Sequence, residues 1–397
     1  TVSGVAPLLA TLVESSEMTS IKVLAESLNS NSIPSDYVYS ANYHTPIAST
    51  QEDGIPVIDY SLLTSGTPDQ QSKAIQDLGK ACEEWGFFLL VNHGVSETLI
   101  DKVFDASSQF FNLTEEEKRE FEGKNTFDPI TCGTSFRNAG LGKILLWRDY
   151  LKVIAHPEFR FPDKPQGFSE LSLEYCEKTR KVARELLRGI RKSLGLEESD
   201  MDSALNLDSG FQLFDINLYP PCPQPELAIG LPPHTDHGLV TLVLQNGVNG
   251  LEVQHNGKWV SVDALPNSFM VNTSDQLEVN YSFFLVVGYD HNSSDGLARV
   301  VDGAMMLVVE DMVIFSNGKY KSVKHRAVVN SKITRISLVT PYGPSLDTIV
   351  SAASKLVDSE THPPAYIPMM YKEYVVQQQN TQMGAKSCLE RVRVQEE

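Results

Sequence analysis

The spacing of apolar positions along this chain changes near Gly210. Before that residue, apolar positions recur with helical spacing, which predicts a short helix beginning at Glu115 and longer ones over 19–29, 70–85, 96–111 and 168–195. Beyond it, short apolar runs alternate with turn residues, which predicts strands over 211–218, 238–244, 250–254, 258–262, 268–273, 319–328 and 333–340. A last helical pattern covers 345–357.

This order of elements predicts an α+β protein. Many short strands with turns between them are typical of a jelly roll, so we expect a core built as a cupin-like double-stranded β-helix. A helical and mixed module precedes that core, with one early strand at 55–59 and a Gly-, Thr- and Asn-rich loop at about 125–142. A C-terminal helix and a polar tail follow the core.

The composition excludes some classes of partner but does not indicate which reaction the protein performs. The formal charge of −18 argues against a nucleic acid or an anionic membrane surface as partner, because phosphate groups would repel the chain. No apolar run approaches the roughly 18 residues of a membrane span. The five scattered cysteines indicate reduced thiols rather than a disulfide framework, so we expect a cytoplasmic protein. No extended coiled-coil pattern is present, and we expect a monomer.

The clearest chemistry lies in His234, Asp236 and His325. His234 and Asp236 are two residues apart, so in an extended strand their side chains point the same way. Two imidazoles and one carboxylate can occupy one face of a metal and leave the other open, which suits non-haem Fe(II) and dioxygen. Arg335 and Ser337 have the same spacing, and a guanidinium beside a hydroxyl suits a small carboxylate co-substrate.

The surrounding sequence resembles the plant 2-oxoglutarate- and Fe(II)-dependent dioxygenases. That family includes flavanone 3-hydroxylase-like and anthocyanidin synthase-like enzymes and has an isopenicillin N synthase-like fold. The resemblance rests on EWGFF at 84–88, VNHG at 91–94, NLYPPCP at 217–223, LPPHTDHG at 231–238 and SNGKYKSVKHR at 316–326. It covers roughly residues 20–357, with one large interruption.

The resemblance implies Fe(II) as metal, 2-oxoglutarate and O2 as co-substrates, and ascorbate as reductant. A small plant metabolite such as a flavonoid, coumarin or alkaloid would be hydroxylated or desaturated, with release of succinate and CO2. The implied metal ligands and catalytic residues are His234, Asp236 and His325, and the implied co-substrate-binding residues are Arg335, Ser337, Tyr219 and Asn217.

Similar enzymes also suggest where the organic substrate would bind. We expect contacts from the loop at 132–137, from Lys152, from Phe214 and from the helix after Ser345. The histidines His93, His237 and His255 are interpreted as structural, because no second ligand lies at a useful spacing.

Two segments depart from the family pattern. Residues 1–17 are expected to be upstream sequence, followed by an N-terminal module over 18–205, the jelly-roll domain over 206–345, and a C-terminal helix and tail over 346–397. Residues 279–313 interrupt the jelly roll. Asp236 and His325 are 89 residues apart, and about 54 without this 35-residue segment, which is close to the family's spacing. We interpret the segment as a retained intron or mis-spliced exon rather than a genuine insertion.

Three alternatives stay open. An oxidase of the same fold that dispenses with 2-oxoglutarate would share the metal triad, Arg335 and Ser337. The segment at 279–313 could leave a catalytically impaired product, and Ser274 adds to that concern. It stands where relatives have glycine, and a positive φ there would cost serine roughly 1 kcal/mol. A cupin-like sugar-binding or storage protein would need neither Arg335 nor Ser337.

Overall fold

The structure, a computed structural model, describes residues 20–28, 32–39, 54–135, 144–197, 205–278, 316, 318–350 and 368–380. The helices are α1 (Ile21–Ser27), α2 (Tyr60–Ser65), α3 (Pro68–Glu84), α4 (Glu97–Phe111), α5 (Glu115–Arg119), α6 (Phe168–Ser193), α7 (Asp275–Glu278) and α8 (Tyr371–Asn380). The strands are β1 (Val57–Asp59), β2 (Phe87–Val91), β3 (Ile130–Thr134), β4 (Asp149–His156), β5 (Gln212–Tyr219), β6 (Leu231–His234), β7 (Val240–Gln245), β8 (Leu251–His255), β9 (Lys258–Ser261), β10 (Phe269–Thr273), β11 (His325–Ala327), β12 (Arg335–Tyr342), β13 (Ile349–Val350) and β14 (Met369–Met370).

Two sheets form the core. The larger has the strand order β1-β2-β10-β7-β12-β5-β4-β3, and the smaller has the order β6-β11-β8-β9. Neighbouring strands are antiparallel except for the parallel pair β1–β2. Strands from the N-terminal part therefore extend the large sheet at both of its edges. This is the predicted α+β architecture with a jelly-roll core.

Side chains of the large sheet alternate between two environments, as the pleat of a strand requires. In β10, Phe269 and Val271 pack into the core shared with the helices, whereas Met270 packs between the sheets with Val253 and Val260 of the small sheet. The long helix α6 contributes the buried face of that helical layer. The space between the two sheets is therefore the interior of the jelly roll, and inward-facing residues of both sheets converge there.

Most predicted elements are confirmed within a few residues. Helices α3, α4 and α6 match the predicted ranges, and α5 begins at Glu115 as expected. The cap of α5 explains its start, because the Thr114 hydroxyl accepts from the N–H of Glu117 and the Glu117 carboxylate accepts from the N–H of Thr114. The strands beyond Gly210 also follow the prediction, although 319–328 contracts to β11 and β6 was not predicted.

Two predictions were wrong. The expected loop at 125–142 contains β3, because β4 pairs with it along its whole length and tertiary pairing overrides a polar composition. The expected helix at 345–357 is instead a turn followed by β13, whose residues pair with β14. The C-terminal helix is α8, which begins directly after β14. The rest of the predicted helix lies outside the described residues.

Ser274 does not carry the expected strain. It is absent from the described residues with positive φ, and its N–H donates to the Leu239 carbonyl at 3.0 Å. Its hydroxyl lies 3.3 Å from that of Thr241. The turn therefore accepts serine without a left-handed backbone, and the concern raised by the missing glycine was wrong.

Only some of the features expected from composition fall within the described residues. Residues 1–17 and 279–313 lie outside the described residues. Cys82, Cys132, Cys176 and Cys222 are buried free thiols. Within the described part of the chain, no helix is long and apolar enough to cross a membrane.

The described residues on either side of residues 279–313 lie close together. The Gly318 N–H donates to the Glu278 carbonyl at 3.0 Å, and the Ser316 hydroxyl donates to the Leu277 carbonyl at 2.8 Å. The Glu278 carboxylate also accepts from the N–H of Ser322 at 2.5 Å. Helix α7 and the loop at 318–322 are thus held together by contacts that do not involve the intervening segment.

Deleting residues 279–313, so that residue 278 is joined directly to residue 314, is expected to preserve the fold and the binding of Fe(II). The shorter connection should raise the free energy of unfolding by about 2 kcal/mol, because loop closure costs about 0.6 kcal/mol for each doubling of length. Urea unfolding of the full chain and of the shortened chain measures this difference. A shortened chain that is less stable, or that no longer binds Fe(II), would contradict the expectation.

Candidate active site

His234, Asp236 and His325 meet at one end of the small sheet. His234 ends β6, His325 begins β11, and the two are direct cross-strand partners. Asp236 follows in the loop after β6, with its Oδ1 3.7 Å from Nε2 of His234 and 3.6 Å from Nε2 of His325. One potential ligand atom from each residue lies within 4.8 Å of the others. The fold therefore brings the three predicted residues together, although His325 lies 89 residues after Asp236 in the sequence.

Both imidazoles are oriented by backbone carbonyls. Nδ1–H of His234 donates to the Pro232 carbonyl at 2.8 Å, and Nδ1–H of His325 donates to the Val323 carbonyl at 3.2 Å. The proton is held on Nδ1 in each ring, so the Nε2 lone pair is left facing the cluster. Such a fixed tautomer is what a metal-binding histidine requires.

The protonation states also favour a cation. Burial and the neighbouring His325 ring lower the pKa of His234 to about 4, so its imidazole is neutral at pH 7. Burial raises the pKa of Asp236, but the two imidazoles and hydrogen bonds from Thr241 and Asn272 outweigh it and bring that pKa to about 2. A neutral His234 imidazole beside an ionised Asp236 carboxylate suits a divalent metal.

Asp236 is fixed from two further sides. The Asn272 amide donates to its Oδ2 at 2.8 Å, which leaves Oδ1 for a metal. The backbone carbonyl of Asp236 accepts from the N–H of Asp275 at 2.8 Å. Outer contacts of this kind orient a metal ligand and are worth substantial affinity.

Asp275 connects the triad loop to the C-terminal helix. Its buried carboxylate accepts from Thr235 at 3.2 Å, from Ser322 at 2.7 Å and from the hydroxyl of Tyr374 in α8 at 2.7 Å. Gln378 of the same helix donates to the Thr235 carbonyl at 2.8 Å. Three separate chain segments are therefore joined around one carboxylate beside the metal ligands.

Replacing Tyr374 with phenylalanine is expected to weaken Fe(II) binding about tenfold, the lower end of what loss of an outer contact costs. The ring would still fill its buried position, but Asp275 would lose its hydrogen bond to α8. Tyr320→Phe is the matched control, since that hydroxyl bonds to Ser193 on α6 rather than to Asp275. Anaerobic Fe(II) titrations compare the variants, and equal affinities in both would contradict a role for α8 at the site.

The four residues expected to bind the co-substrate also share one surface. In the register of β12 and β5, Arg335 lies opposite Tyr219 and Ser337 opposite Asn217. The Arg335 guanidinium stacks over the Tyr219 ring at 4.9 Å, and the Asn217 amide donates to the Ser337 hydroxyl at 3.4 Å. All four side chains face the interior of the jelly roll.

Arg335 lacks an anionic partner within the described residues. It is 2% exposed, its Nε donates to Gln245 at 3.2 Å, and its Nη1 has no hydrogen-bond partner there. Burial lowers the pKa of this guanidinium, yet arginine remains charged at neutral pH. A buried, uncompensated cation is costly, and an incoming carboxylate would balance it. The triad and this surface therefore fit Fe(II) and 2-oxoglutarate by the chemistry of their donors.

Two of the expected substrate contacts were placed on the wrong side of the large sheet. Phe214 is fully buried against Tyr175 of α6, with ring centroids 5.2 Å apart. Cys132 belongs to the same helical core, and its thiol donates to the Lys118 carbonyl. Lys152, by contrast, lies on the inward face of β4. Residues 136–137 and 351–367 lie outside the described residues.

The other histidines each have a structural neighbour. His93 accepts from the N–H of Val95 and donates to the Asn267 carbonyl, while His255 stacks on Trp85 with ring centroids 3.7 Å apart. His237 and the hydroxyl of Tyr371 form a 2.7 Å hydrogen bond. These contacts agree with the structural interpretation of all three.

Sequence reasoning missed several polar residues around the site. Asn272 and Asp275 hold Asp236 and its loop, and Asp215 lies on the inward face of β5. A polar residue at an inward position of a largely buried strand was the available signal for Asn272 and Asp215. Nothing in the sequence pattern indicated that Tyr374 would reach Asp275.

Comparison with known proteins finds two family models that match different parts of the chain. Residues 55–173 match the family described as "non-haem dioxygenase in morphine synthesis N-terminal". Residues 210–290 and 287–344 match the "2OG-Fe(II) oxygenase superfamily". The two matches together span more than half of the chain.

Individual proteins similar to this chain point to the same family. The 2-oxoglutarate-dependent dioxygenase 19 of Oryza sativa subsp. japonica is 39% identical over 363 residues, covering 91% of this chain and 97% of that protein. Thebaine 6-O-demethylase of Papaver somniferum is 33% identical, covering 95% and 96%. The crystal structure of JOX2 in complex with 2OG, Fe and JA superposes with a TM-score of 0.77 at 28% identity, covering 95% of this chain and 98% of that one.

Proposed function

This chain belongs to the plant-type 2-oxoglutarate- and Fe(II)-dependent dioxygenases, and from that membership we propose that it hydroxylates or desaturates a small plant specialised metabolite. The observation that supports this is the position of Arg335 and its neighbours on the inward face of β12 and β5, in the same interior as the metal triad. A metal-binding or storage protein would not need a buried, uncompensated guanidinium there. Flavonoids, coumarins and alkaloids are the substrate types we consider first.

We assign each site residue one task. His234, Asp236 and His325 hold Fe(II), with the two carbonyl-bound imidazoles presenting Nε2. When bound, the metal and 2-oxoglutarate together supply the oxidation of a substrate C–H bond by O2, with succinate and CO2 released. The ligand set leaves positions for these molecules, since only three protein ligands are present in the described cluster.

The four co-substrate residues would hold the two ends of 2-oxoglutarate. Arg335 forms a charge-assisted pair with its distal carboxylate, and the hydroxyls of Ser337 and Tyr219 add hydrogen bonds. Asn217, one cross-strand step from Ser337, holds the end that faces the metal. Burial of this surface excludes water, which strengthens the charge pairing and fixes the orientation of the molecule.

Turnover with a panel of plant phenolics, coumarins and alkaloids tests the proposal. The full chain is supplied with Fe(II), 2-oxoglutarate, ascorbate and 18O2, and succinate and oxidised product are quantified by mass spectrometry. We expect one succinate for each oxidised product, with 18O in any hydroxyl introduced. Product formed without consumption of 2-oxoglutarate would instead identify an oxidase of the same fold. Activity confined to the chain lacking 279–313 would identify the full chain as an impaired form.

A further inference from the structure

Asp215 lies inside the jelly roll at the edge of the co-substrate surface. It is in β5, two residues before Asn217, so both side chains point to the same face and are about 7 Å apart along the strand. Its cross-strand neighbours are Val339 in β12 and Lys152 in β4. Asp215 is therefore an inward-facing carboxylate beside the proposed active site, and its neighbours Phe214 and Ile216 face outward into the helical core.

The exposure of its neighbours outlines a cavity at this point. Tyr150, Asp215 and Val339 lie side by side on the inward face, and each is partly exposed although the sheet is covered on its other side by helices. His234 and Asp236 of the triad are also partly exposed. The partial exposure of these inward-facing residues indicates a solvent-accessible space between the sheets, and the partial exposure of His234 and Asp236 indicates that this space reaches the triad.

One oxygen of the Asp215 carboxylate, the buried Oδ1, has no hydrogen-bond donor in the described part of the chain. Lys152 attracts it electrostatically, but the Lys152 ammonium donates to the Thr126 carbonyl at 3.2 Å. Arg148 adds a second positive charge in the vicinity, and Asp236 a negative one. A deep carboxylate without a donor is costly, so a ligand that supplies one gains from it.

Burial raises the pKa of Asp215 to about 6, with Lys152 and Arg148 opposing the rise. The group is therefore mostly ionised at pH 7 and acts as a hydrogen-bond acceptor. A substrate carboxylate placed beside it would meet like charge, whereas a hydroxyl or an ammonium group would form a charge-assisted hydrogen bond.

We propose that Asp215 determines substrate specificity by accepting a hydrogen bond from a hydroxyl or protonated amine of the organic substrate, and by disfavouring substrates that present a carboxylate there. This rests on the proposed function, since it concerns the substrate of that same site. Lys152 is the positioning partner that keeps Asp215 ionised in the cavity.

Binding without turnover tests the inference. The full chain is loaded anaerobically with Fe(II) and 2-oxoglutarate, and a library of plant metabolites sorted into phenols and alcohols, amines, and carboxylic acids is screened by thermal shift. Naringenin, thebaine and jasmonic acid represent the three classes. We expect binders among the first two classes and weak or no binding of acids that lack other donors. Carboxylic acids dominating the binders, or no binder with a hydroxyl or amine, would overturn the inference.

Variants locate the effect at Asp215. Asp215→Asn keeps the shape of the side chain but removes its charge, and should weaken the binding of donor-bearing compounds about ten- to hundredfold. Asp263→Asn, an exposed carboxylate outside the cavity, is the matched control and should change nothing. The double variant Lys152→Met/Asp215→Leu removes both charges without leaving either alone, and should lose the same selectivity. Donor-bearing compounds that bind Asp215→Asn as tightly as the native chain would overturn the inference.

The two proposals fail in different ways. Succinate release with a substrate whose affinity is unchanged in Asp215→Asn would leave the proposed function standing and overturn the role of Asp215. Donor-dependent binding without any succinate release would support Asp215 as the binding determinant and overturn the proposed reaction.

Discussion

Replacing His325 with alanine is expected to abolish stable Fe(II) binding and all turnover of 2-oxoglutarate. His325 supplies one of three ligand atoms that lie within 4.8 Å of one another, and two protein ligands rarely hold Fe(II) in a solvent-accessible site. The loss of affinity should exceed the roughly 10- to 100-fold that removal of an outer contact costs. The weak visible charge-transfer band of anaerobic Fe(II) plus 2-oxoglutarate, with succinate release, measures both effects.

His255→Ala is the matched control for this experiment. His255 ends β8, which is the direct neighbour of β11 in the small sheet, but its ring stacks on Trp85 instead of facing the triad. The control variant should keep the band and the turnover. If His325→Ala retained the band with full intensity, another residue would have to be the third ligand, and our assignment of the triad would be wrong.

Two of the three triad residues could be predicted from local spacing alone. His234 and Asp236 are two residues apart, and β6 together with the loop that follows it brings both into the metal-binding cluster. His325 required the resemblance to a family, since nothing local indicates which distant strand pairs with β6. The same holds for Arg335 and Ser337, whose i, i+2 spacing predicts a shared face but not that Tyr219 and Asn217 lie opposite them.

The wrong expectation for Phe214 is explained by the alternation of side chains between the two faces of a strand. Asn217 and Tyr219 were expected to face the site, which requires Asp215 to face it too and Phe214 to face away. Phe214 was nevertheless expected to contact substrate, and the structure places it against α6. The parity of β5 contained enough information to place Asp215, rather than Phe214, on the inward face. By contrast, β3 and the contacts of α8 depend on pairing and docking that composition does not encode.

Replacing Arg335 with leucine is expected to weaken 2-oxoglutarate binding by about 10- to 150-fold, the effect of losing a hydrogen-bonded charge pair worth about 1.5–3 kcal/mol. Fe(II) binding should be retained, because Arg335 contacts Tyr219 and Gln245 and none of the metal ligands. The loss should appear in the KM for 2-oxoglutarate and in the co-substrate concentration needed for the charge-transfer band. Arg335→Lys should recover only part of it, since an ammonium keeps the charge but not the planar fork.

Lys332→Met, which removes an exposed charge just before the same strand, is the control and should bind 2-oxoglutarate normally. Equal KM values in Arg335→Leu and Lys332→Met would show that the distal carboxylate is held elsewhere. The inward face of β12 and β5 would then no longer support the proposed reaction.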